Sequence, residues 1–152
     1  VCSSDLGRFS AAGPRSAYPM VRVVARATTA PRAVLVGNAA QSMHPVGAQG
    51  FNLGLRDALT LAELVAANRS DPGGEAVLHG YVSRRREDRA RTLEFSDGLA
   101  RLTANDAPLL RPLRSLGLLA VDRLPALQAR VAGGAMGYRG DDVPALCRGA
   151  GA

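Results

Sequence analysis

Apolar residues form one short continuous run in this chain, followed by segments with helical spacing. The run AVLVG, residues 33–37, is apolar throughout, as is typical of a parallel strand that is buried on both faces. Upstream, the β-branched residues within 20–27 predict another strand. Downstream, leucines cover two faces of a helix predicted over residues 50–68. The pattern therefore predicts a strand, an irregular loop and a largely buried helix in succession.

The second half of the chain is predicted to be helical. The breaker sequence SDPGG precedes a long helix predicted over residues 75–104, whose charged middle, SRRREDRAR, is expected to face water at least in part. Two apolar helices are predicted at residues 109–123 and 125–131, the second ended by Gly133 and Gly134. The predicted fold class is therefore α/β, mostly helical after one buried strand.

Composition narrows the class of protein. A chain of 152 residues with 47% hydrophobic residues is expected to be globular, and no apolar run reaches the length of a membrane span. The formal net charge of +6 comes entirely from arginine, and aromatic residues make up only 4%, so we do not expect a nucleic-acid partner. Cys2 and Cys147 lie far apart and in no metal-binding spacing, which favours a reducing cytoplasm.

The loop between the predicted strand and the first helix carries the candidate chemistry. Ligands of nucleotide-binding α/β folds lie at the carboxyl ends of strands, here at Gly37 and Asn38. The following helix start, at Gly50, Phe51 and Asn52, offers free backbone N–H groups and a partial positive charge. Because Gly50 has no side chain, a planar ligand can approach its backbone closely. We expect this segment to bind an anion or a ring that becomes anionic.

The run GNAAQSMHPVGAQGFNLGLRDA, residues 37–58, resembles the second flavin-binding motif of the aromatic-hydroxylase flavoproteins. Its core from His44, His-Pro-x-x-x-Gln-Gly-x-Asn-x-Gly-x-x-Asp, is similar to the ubiquinone-biosynthesis branch. Most members of that branch have Gly-Asp-Ala-Ala-His where this chain has Gly-Asn-Ala-Ala-Gln, a version similar to the 2-polyprenyl-6-methoxyphenol hydroxylases. The likeness covers nearly everything after residue 16 and continues at Asp97-Gly98-Leu99, Pro108-Leu109, Gly117-Leu118 and Met136-Gly137.

The resemblance implies contacts with FAD. Asn38 would bond the ribityl hydroxyls, Pro45 and Gly47 would line the isoalloxazine, and the amides near Gly50 would face flavin N1 and O2. A helix N-terminus suits reduced flavin, which is anionic at that edge. The implied cofactor-binding residues are Gly37, Asn38, Pro45, Gly47, Gln49, Gly50, Phe51 and Asn52, and no catalytic or metal-binding residue is implied.

The resemblance also implies a function for the parent protein. We expect an FAD-dependent, NAD(P)H-linked monooxygenase that uses molecular oxygen to hydroxylate a polyprenylated phenol in ubiquinone biosynthesis. The chain would be the C-terminal fragment of this protein and would be inactive alone. We expect a non-native leader at residues 1–6, the end of the FAD-binding domain at 7–70 and a helical region at 71–152. Two alternatives stay open: another flavin oxidoreductase or reductase of the same fold, and a non-catalytic helical interaction module.

The Leu-rich segment before residue 131 suggests a location. It is punctuated by arginines, and such a sequence can lie on an anionic membrane surface. We therefore expect a cytoplasmic protein, peripheral on the inner membrane or bound to sister enzymes of the pathway; packing of the leucines on the flavin domain is the alternative. The arginines concerned are Arg111, Arg114, Arg123 and Arg130.

Several individual residues carry further expectations. Asn38 replaces a carboxylate of the family pattern, and Ala48 stands where glycine is usual, so Ala48 would be strained if its φ were positive. His44 is interpreted as a structural hydrogen-bonding residue, and Asp57 as a partner of Arg56 or Arg84. Arg84, Arg85 and Arg86 are predicted to form a solvated helix face, and Cys147 to be inert.

Overall fold

The computed structural model describes residues 11, 13–104, 107, 110–136 and 144. Its described part is of the α/β class and predominantly helical, as the sequence predicted. The helices are α1 (Gln49–Ala67), α2 (Glu75–Ala104), α3 (Leu110–Arg123) and α4 (Pro125–Met136). The strands have two residues each: β1 (Val23–Val24), β2 (Thr29–Ala30), β3 (Ala33–Val34) and β4 (Gln41–Ser42).

The strands form two small antiparallel sheets. β1 pairs with β4, with Val23 opposite Ser42 and Val24 opposite Gln41. β2 pairs with β3 across a two-residue turn. The first pairing is long-range: it brings the segment that begins near residue 20 against the loop before α1, and so helps to build the site described below.

The prediction of a fully buried parallel strand at residues 33–37 is wrong. β3 runs antiparallel to β2, Ala33 is exposed, and Leu35 is 39% exposed. The cause is the turn at Pro31 and Arg32, where Arg32 adopts a left-handed φ of 59°. A two-residue turn with a left-handed residue can join only antiparallel strands, so local turn geometry decides the pairing.

Helices α1 and α2 follow the sequence prediction closely. α1 begins one residue earlier than predicted, and Asn68 ends it by donating its side-chain amide to the Leu64 carbonyl at 2.8 Å. α2 has the predicted bounds, with Glu75 in its first turn, where a carboxylate is favourable. The helices pack closely, since a Cβ on Gly80 would lie 3.1 Å from Leu64 Cδ2.

The apolar core of the described chain is small. Its buried hydrophobic residues are Ala40, Leu53, Val77, Tyr81 and Leu93. They come from the loop before α1 and from the facing sides of α1 and α2. Twice as many polar or charged residues are buried with them, so hydrogen bonds and ion pairs have a large share in joining these elements.

Helix α3 carries four exposed leucines, Leu113, Leu116, Leu118 and Leu119. Arg114 on α3 donates to the carbonyls of Leu102 and Thr103, both at 3.0 Å, and so satisfies the C-terminal end of α2. α4 continues past Gly133 and Gly134, so the predicted end at these glycines is wrong; glycine lowers helix stability by about 1 kcal/mol but does not by itself end a helix. Across the described ranges, no helix is long and apolar enough to cross a membrane.

Some expectations fall outside the described residues. These are the leader at residues 1–6, the inert Cys147, and the family matches at Pro108, Leu109 and Gly137.

Candidate functional site

An open cleft of about 880 Å³ lies between the start of α1 and the loop before it, residues 37–48, which we call the cleft loop. Five of the eight predicted cofactor-binding residues line this cleft: Gly37, Asn38, Pro45, Gly50 and Phe51. Apolar atoms dominate its walls, and the Phe51 ring is 79% exposed. A cleft of this size with apolar walls and few polar groups is typical of a small-molecule site.

The other three predicted residues do not line the cleft. Gln49 is buried and donates its side-chain amide to the Gly47 carbonyl at 3.0 Å. Gly47 faces inward, with its nearest side-chain atoms on Gln49 and Phe95. Asn52 is exposed on α1 outside the lining. Gln49 and Gly47 thus shape the cleft loop from within, and direct contact of these three residues with a cofactor stays a prediction.

The structure adds lining residues beyond the eight implied cofactor-binding residues. Ser42, Met43, Ala48, Gly54 and Leu55 lie within or next to the motif, so its spacing contained a signal for them. Met20 also lines the cleft. Nothing in the local sequence indicates that contact, because it depends on the pairing of β1 with β4.

The N-terminus of α1 is open towards this cleft. Ala48 precedes the helix with φ 50° and ψ 26°, no side chain caps the first turn, and no acidic residue lies in it. A Cβ on Gly50 would meet no atom within 4 Å. The backbone N–H groups of this turn therefore keep their partial positive charge available to a ligand.

Ala48 has a positive φ, which is the conformation in which the sequence predicted that this alanine would be strained. A non-glycine residue in this conformation costs about 1–2 kcal/mol. The surrounding structure must supply that energy. The Gln49 side chain bonds the adjacent Gly47 carbonyl in the same turn.

Gly37 and Gly54 bring the cleft loop into direct contact with α1. Gly37 has φ 59°, and a Cβ added to Gly54 would lie 3.2 Å from the Gly37 Cα atom. A side chain at Gly54 would push the loop away from the helix, because the opposing atom belongs to the backbone, and a side chain at Gly37 would be strained by the left-handed φ. The two glycines thus set the distance between the two walls of the cleft.

Asp57 lies beneath the cleft loop and is fully buried. Its Oδ2 accepts the Gly37 N–H at 3.3 Å and the Gln41 side-chain amide at 3.1 Å. Its Oδ1 accepts from Arg85 Nε at 2.8 Å and from Arg89 Nη2 at 3.4 Å. The expected pairing of Asp57 with Arg56 or Arg84 is therefore wrong, and its guanidinium partners are Arg85, the residue after Arg84, and Arg89.

Asp88 forms the second centre of this cluster. It accepts from Arg56 Nε at 2.8 Å and from Arg85 Nη2 at 2.6 Å. We call the five residues Arg56, Asp57, Arg85, Asp88 and Arg89 the buried network. It contains three guanidinium groups and two carboxylates, so its formal net charge is +1. Buried charges are tolerated only when they are paired and hydrogen-bonded in this way.

The predicted solvated face of Arg84, Arg85 and Arg86 is wrong for Arg85, whose side chain is completely buried. Arg84 is half-buried and pairs with Glu63 at 2.8 Å, and Arg86 is exposed. The signal in the sequence was helical spacing among polar residues. The buried positions of α2 recur every three or four residues: Val77, Tyr81, Arg85, Asp88, Arg89, Thr92, Leu93 and Ser96.

The ionisation of the network follows from its contacts. Burial opposes the charge on Arg85, but its hydrogen bond to Asp57 and the charge of Asp88 outweigh burial, so the pKa of Arg85 is raised. Burial likewise opposes the charge on Asp88, but the hydrogen bond from Arg56 and the charge of Arg85 hold its pKa below the ordinary value. Burial, with the charge of Asp57, raises the pKa of Tyr81. Arg85 and Asp88 therefore stabilise each other in their charged forms.

Other chemistry is limited in the part of the chain that the structure describes. The backbone carbonyl of His44 accepts the Ser96 hydroxyl at 2.8 Å, and the structural role of the His44 imidazole stays a prediction. No group of three or more His, Cys, Asp or Glu side chains in the described ranges could hold a metal ion. The cleft is thus the described feature best suited to a ligand.

Comparison with known proteins agrees with this geometry. A family model described as an FAD binding domain matches residues 10–96, a range that crosses the predicted boundary at residue 70. Ubiquinone hydroxylase UbiL of Rhodospirillum rubrum is 42% identical over 149 residues, which are 95% of this chain and 35% of that protein. The 3-demethoxyubiquinol 3-hydroxylase of Escherichia coli is 36% identical over 126 residues, 80% of this chain and 32% of that protein.

A mitochondrial relative shows the same likeness. The ubiquinone biosynthesis monooxygenase COQ6 of Homo sapiens is 35% identical over 104 residues, 66% of this chain and 22% of that protein. The chain thus spans about a third or less of the curated relatives it matches. No solved structure matches it significantly.

Proposed function

This chain belongs to the family of FAD-binding domains found in ubiquinone-biosynthesis hydroxylases, and we propose that its cleft binds the flavin of an aromatic monooxygenase. The substrate would be a polyprenylated phenol, with molecular oxygen as the second reactant and NAD(P)H as the electron donor. The relatives' names support the class of reaction. Because the chain spans only part of those relatives, this activity is proposed for the complete protein that carries it.

One observation carries the proposal: an open helix N-terminus and an unobstructed glycine occur together at the wall of the cleft. The first turn of α1 has neither a side-chain cap nor an acidic residue, and the space beside Gly50 is free. An electron-accepting ring needs positive potential at its edge and close access to the backbone. The first turn of α1 meets both requirements.

The other walls of the cleft fit a flavin as well. Pro45 and Phe51 provide apolar surface for a planar ring, and Asn38 offers an exposed amide that can donate and accept hydrogen bonds with hydroxyl groups. The volume of about 880 Å³ accommodates a cofactor of this size in an open cleft. We found no misfit between FAD and the residues that line the cleft.

The chain's own residues would bind and orient the cofactor. When bound, the flavin would supply the redox chemistry and the activation of oxygen. The backbone N–H groups at Gly50 and Phe51 would stabilise negative charge at the ring edge, Asn38 would orient the hydroxylated side arm, and Pro45 would exclude water from the ring face.

We also propose a membrane-surface location. On α3, Leu116, Leu118 and Leu119 are exposed, and α3 and α4 together carry an excess of arginine over acidic residues. An apolar helix face flanked by arginines fits the surface of an anionic bilayer, where a polyprenylated substrate resides. The protein would then be cytoplasmic and peripheral on the inner membrane.

The proposed FAD site is tested in the complete protein by Asn38→Ala. We expect a loss of FAD affinity of about 1–3 kcal/mol, because a buried hydroxyl of the ligand would lose its partner. Ser83→Ala, an exposed truncation on α2, is the matched control and should bind FAD as the wild type does. Affinity is measured by quenching of flavin fluorescence.

Three outcomes separate the candidate functions. Oxygen uptake coupled to phenol hydroxylation supports the monooxygenase. Flavin reduction without hydroxylation of any prenylated phenol would support a reductase of the same fold. A complete wild-type protein that retains no flavin would refute the proposal and favour the interaction module.

A further inference from the structure

We propose that Asp57 and Gln41 are positioning residues that fasten the cleft loop to α2 and thereby hold Gly37 and Asn38 in place for the cofactor. The geometry of this fastening is independent of the ligand. Its effect on FAD affinity rests on the proposed function. None of the residues that line the cleft belongs to α2, yet α2 supplies the contacts that fix one of its walls.

The two oxygens of Asp57 face different elements. Oδ2 receives two donors from the cleft loop, the Gly37 N–H and the Gln41 side-chain amide. Oδ1 receives guanidinium donors from α2, chiefly Arg85 Nε at 2.8 Å. Since all of these partners are donors, the site requires a group that only accepts, and an ionised carboxylate is such a group.

A second contact from α2 reaches the residue two positions before Gly37. The Tyr81 hydroxyl donates to the Leu35 carbonyl at 3.1 Å, and Arg89 Nη2 donates to the same hydroxyl at 3.3 Å. The chain is therefore held at Leu35, Gly37 and Gln41. Asn38 is exposed at the cleft between these fixed points, so its position depends on them.

Gln41 allows the fastening to be weakened selectively. It is buried but does not line the cleft, so it acts on a ligand only through the loop. Its Nε2 bonds Asp57, while its Oε1 is buried without a hydrogen-bond partner. Gln41→Met removes one favourable bond and one unsatisfied oxygen together, so the fold should keep nearly its full stability while the loop loses a point of attachment.

The test uses the complete protein and three measurements. Hydrogen exchange of the peptide that contains Gly37 is followed without FAD, FAD affinity is measured by fluorescence quenching, and the midpoint of thermal unfolding is recorded. For Gln41→Met we expect faster exchange, FAD affinity about tenfold weaker and an unfolding midpoint within about 2 °C of the wild type.

Two further variants act as controls. Gln41→His keeps an N–H donor towards Asp57 and should restore slow exchange and FAD affinity. Arg84→Gln breaks another contact of 2.8 Å between α1 and α2, that with Glu63, but does not touch the loop. It should leave both the exchange and the affinity unchanged.

The outcomes are distinguishable from those of the proposed function. If Gln41→Met exchanges faster but binds FAD with wild-type affinity, the positioning role is overturned. Unchanged exchange in Gln41→Met overturns the fastening itself. If the wild type binds no FAD, the proposed function fails, and hydrogen exchange alone then decides whether the two residues hold the loop.

Discussion

Replacing Arg85 with methionine should destabilise the chain far more than the same change at its neighbour Arg84. The Arg85 side chain is completely buried and donates to both carboxylates of the buried network, at 2.8 Å to Asp57 and at 2.6 Å to Asp88. Methionine keeps an unbranched apolar stem but is shorter than arginine and leaves both carboxylates short of a donor. Removing one partner of a buried ion pair costs about 3–5 kcal/mol of unfolding free energy. Removing one partner of an ion pair at the surface costs about 0–1 kcal/mol.

Arg84 provides a matched comparison because it differs in environment rather than in chemistry. Its pair with Glu63 has the same 2.8 Å distance, but the two side chains are 28% and 23% exposed. We therefore expect Arg84→Met to lower the free energy of unfolding by about 1 kcal/mol or less. Arg85 Nη1 has no hydrogen-bond partner, and its removal offsets a small part of the loss at Arg85.

Urea unfolding followed by circular dichroism at the helix band measures both variants under identical conditions. A loss of about 3–5 kcal/mol for Arg85→Met corresponds to a fall of roughly 10 °C in the unfolding midpoint of a chain of this size. The difference between the two variants is the decisive quantity. Equal destabilisation by both substitutions would refute the reasoning, because it would mean that burial of the Arg85 pair adds nothing to the cost of breaking it.

Three further predictions concern pH, backbone strain and membranes. The pKa of Asp88 is lowered in the folded state. The stabilising effect of Asp88 is therefore present above pH 3.8, the ordinary pKa, and is lost as the pH falls through the folded pKa. Asp88→Asn should flatten the curve of unfolding free energy against pH in that range. Ala48→Gly should stabilise the chain by about 1 kcal/mol in thermal unfolding, because glycine relieves the left-handed backbone. Ala58→Gly, in the middle of α1, is the control and should destabilise the chain by about the same amount. If Ala48→Gly does not stabilise the chain, Ala48 is not strained. Replacing Leu118 and Leu119 with serine and Arg123 with glutamine should release the complete protein from anionic vesicles, with the flavin spectrum retained, and unchanged binding at low salt would exclude the membrane proposal.

The helical part of the fold could be predicted because its signals are local. The bounds of α2 and all but one residue of α1 follow from helical spacing and from the breaker sequence between them. The pairing of β3 could not be predicted from its apolar run, because the turn at Arg32 determines it. The end of α4 could not be predicted from Gly133 and Gly134, because glycine lowers helix stability without ending the helix.

The candidate site was predictable only where the motif is contiguous. Gly37, Asn38 and Gly50 line one cleft because a short loop and a helix start bring them together. The contributions of Met20 and Arg85 depend on contacts between distant parts of the chain. A run of arginines also suggests solvent exposure. The buried arginines can be distinguished from the exposed ones only by their helical spacing relative to the carboxylates on α1 and α2.

The short sequence separation of the buried network has a consequence for the order of folding. Asp57 and Arg85 are 28 residues apart, and Arg56 and Asp88 are 32 apart, with a short connection, residues 68–74, between their helices. Contacts of such modest separation lose little chain entropy on closure and form quickly. We therefore expect α1 and α2 to assemble first as a helical hairpin during synthesis, and the upstream residues that meet Asp57 and Tyr81 to settle afterwards on an already formed surface.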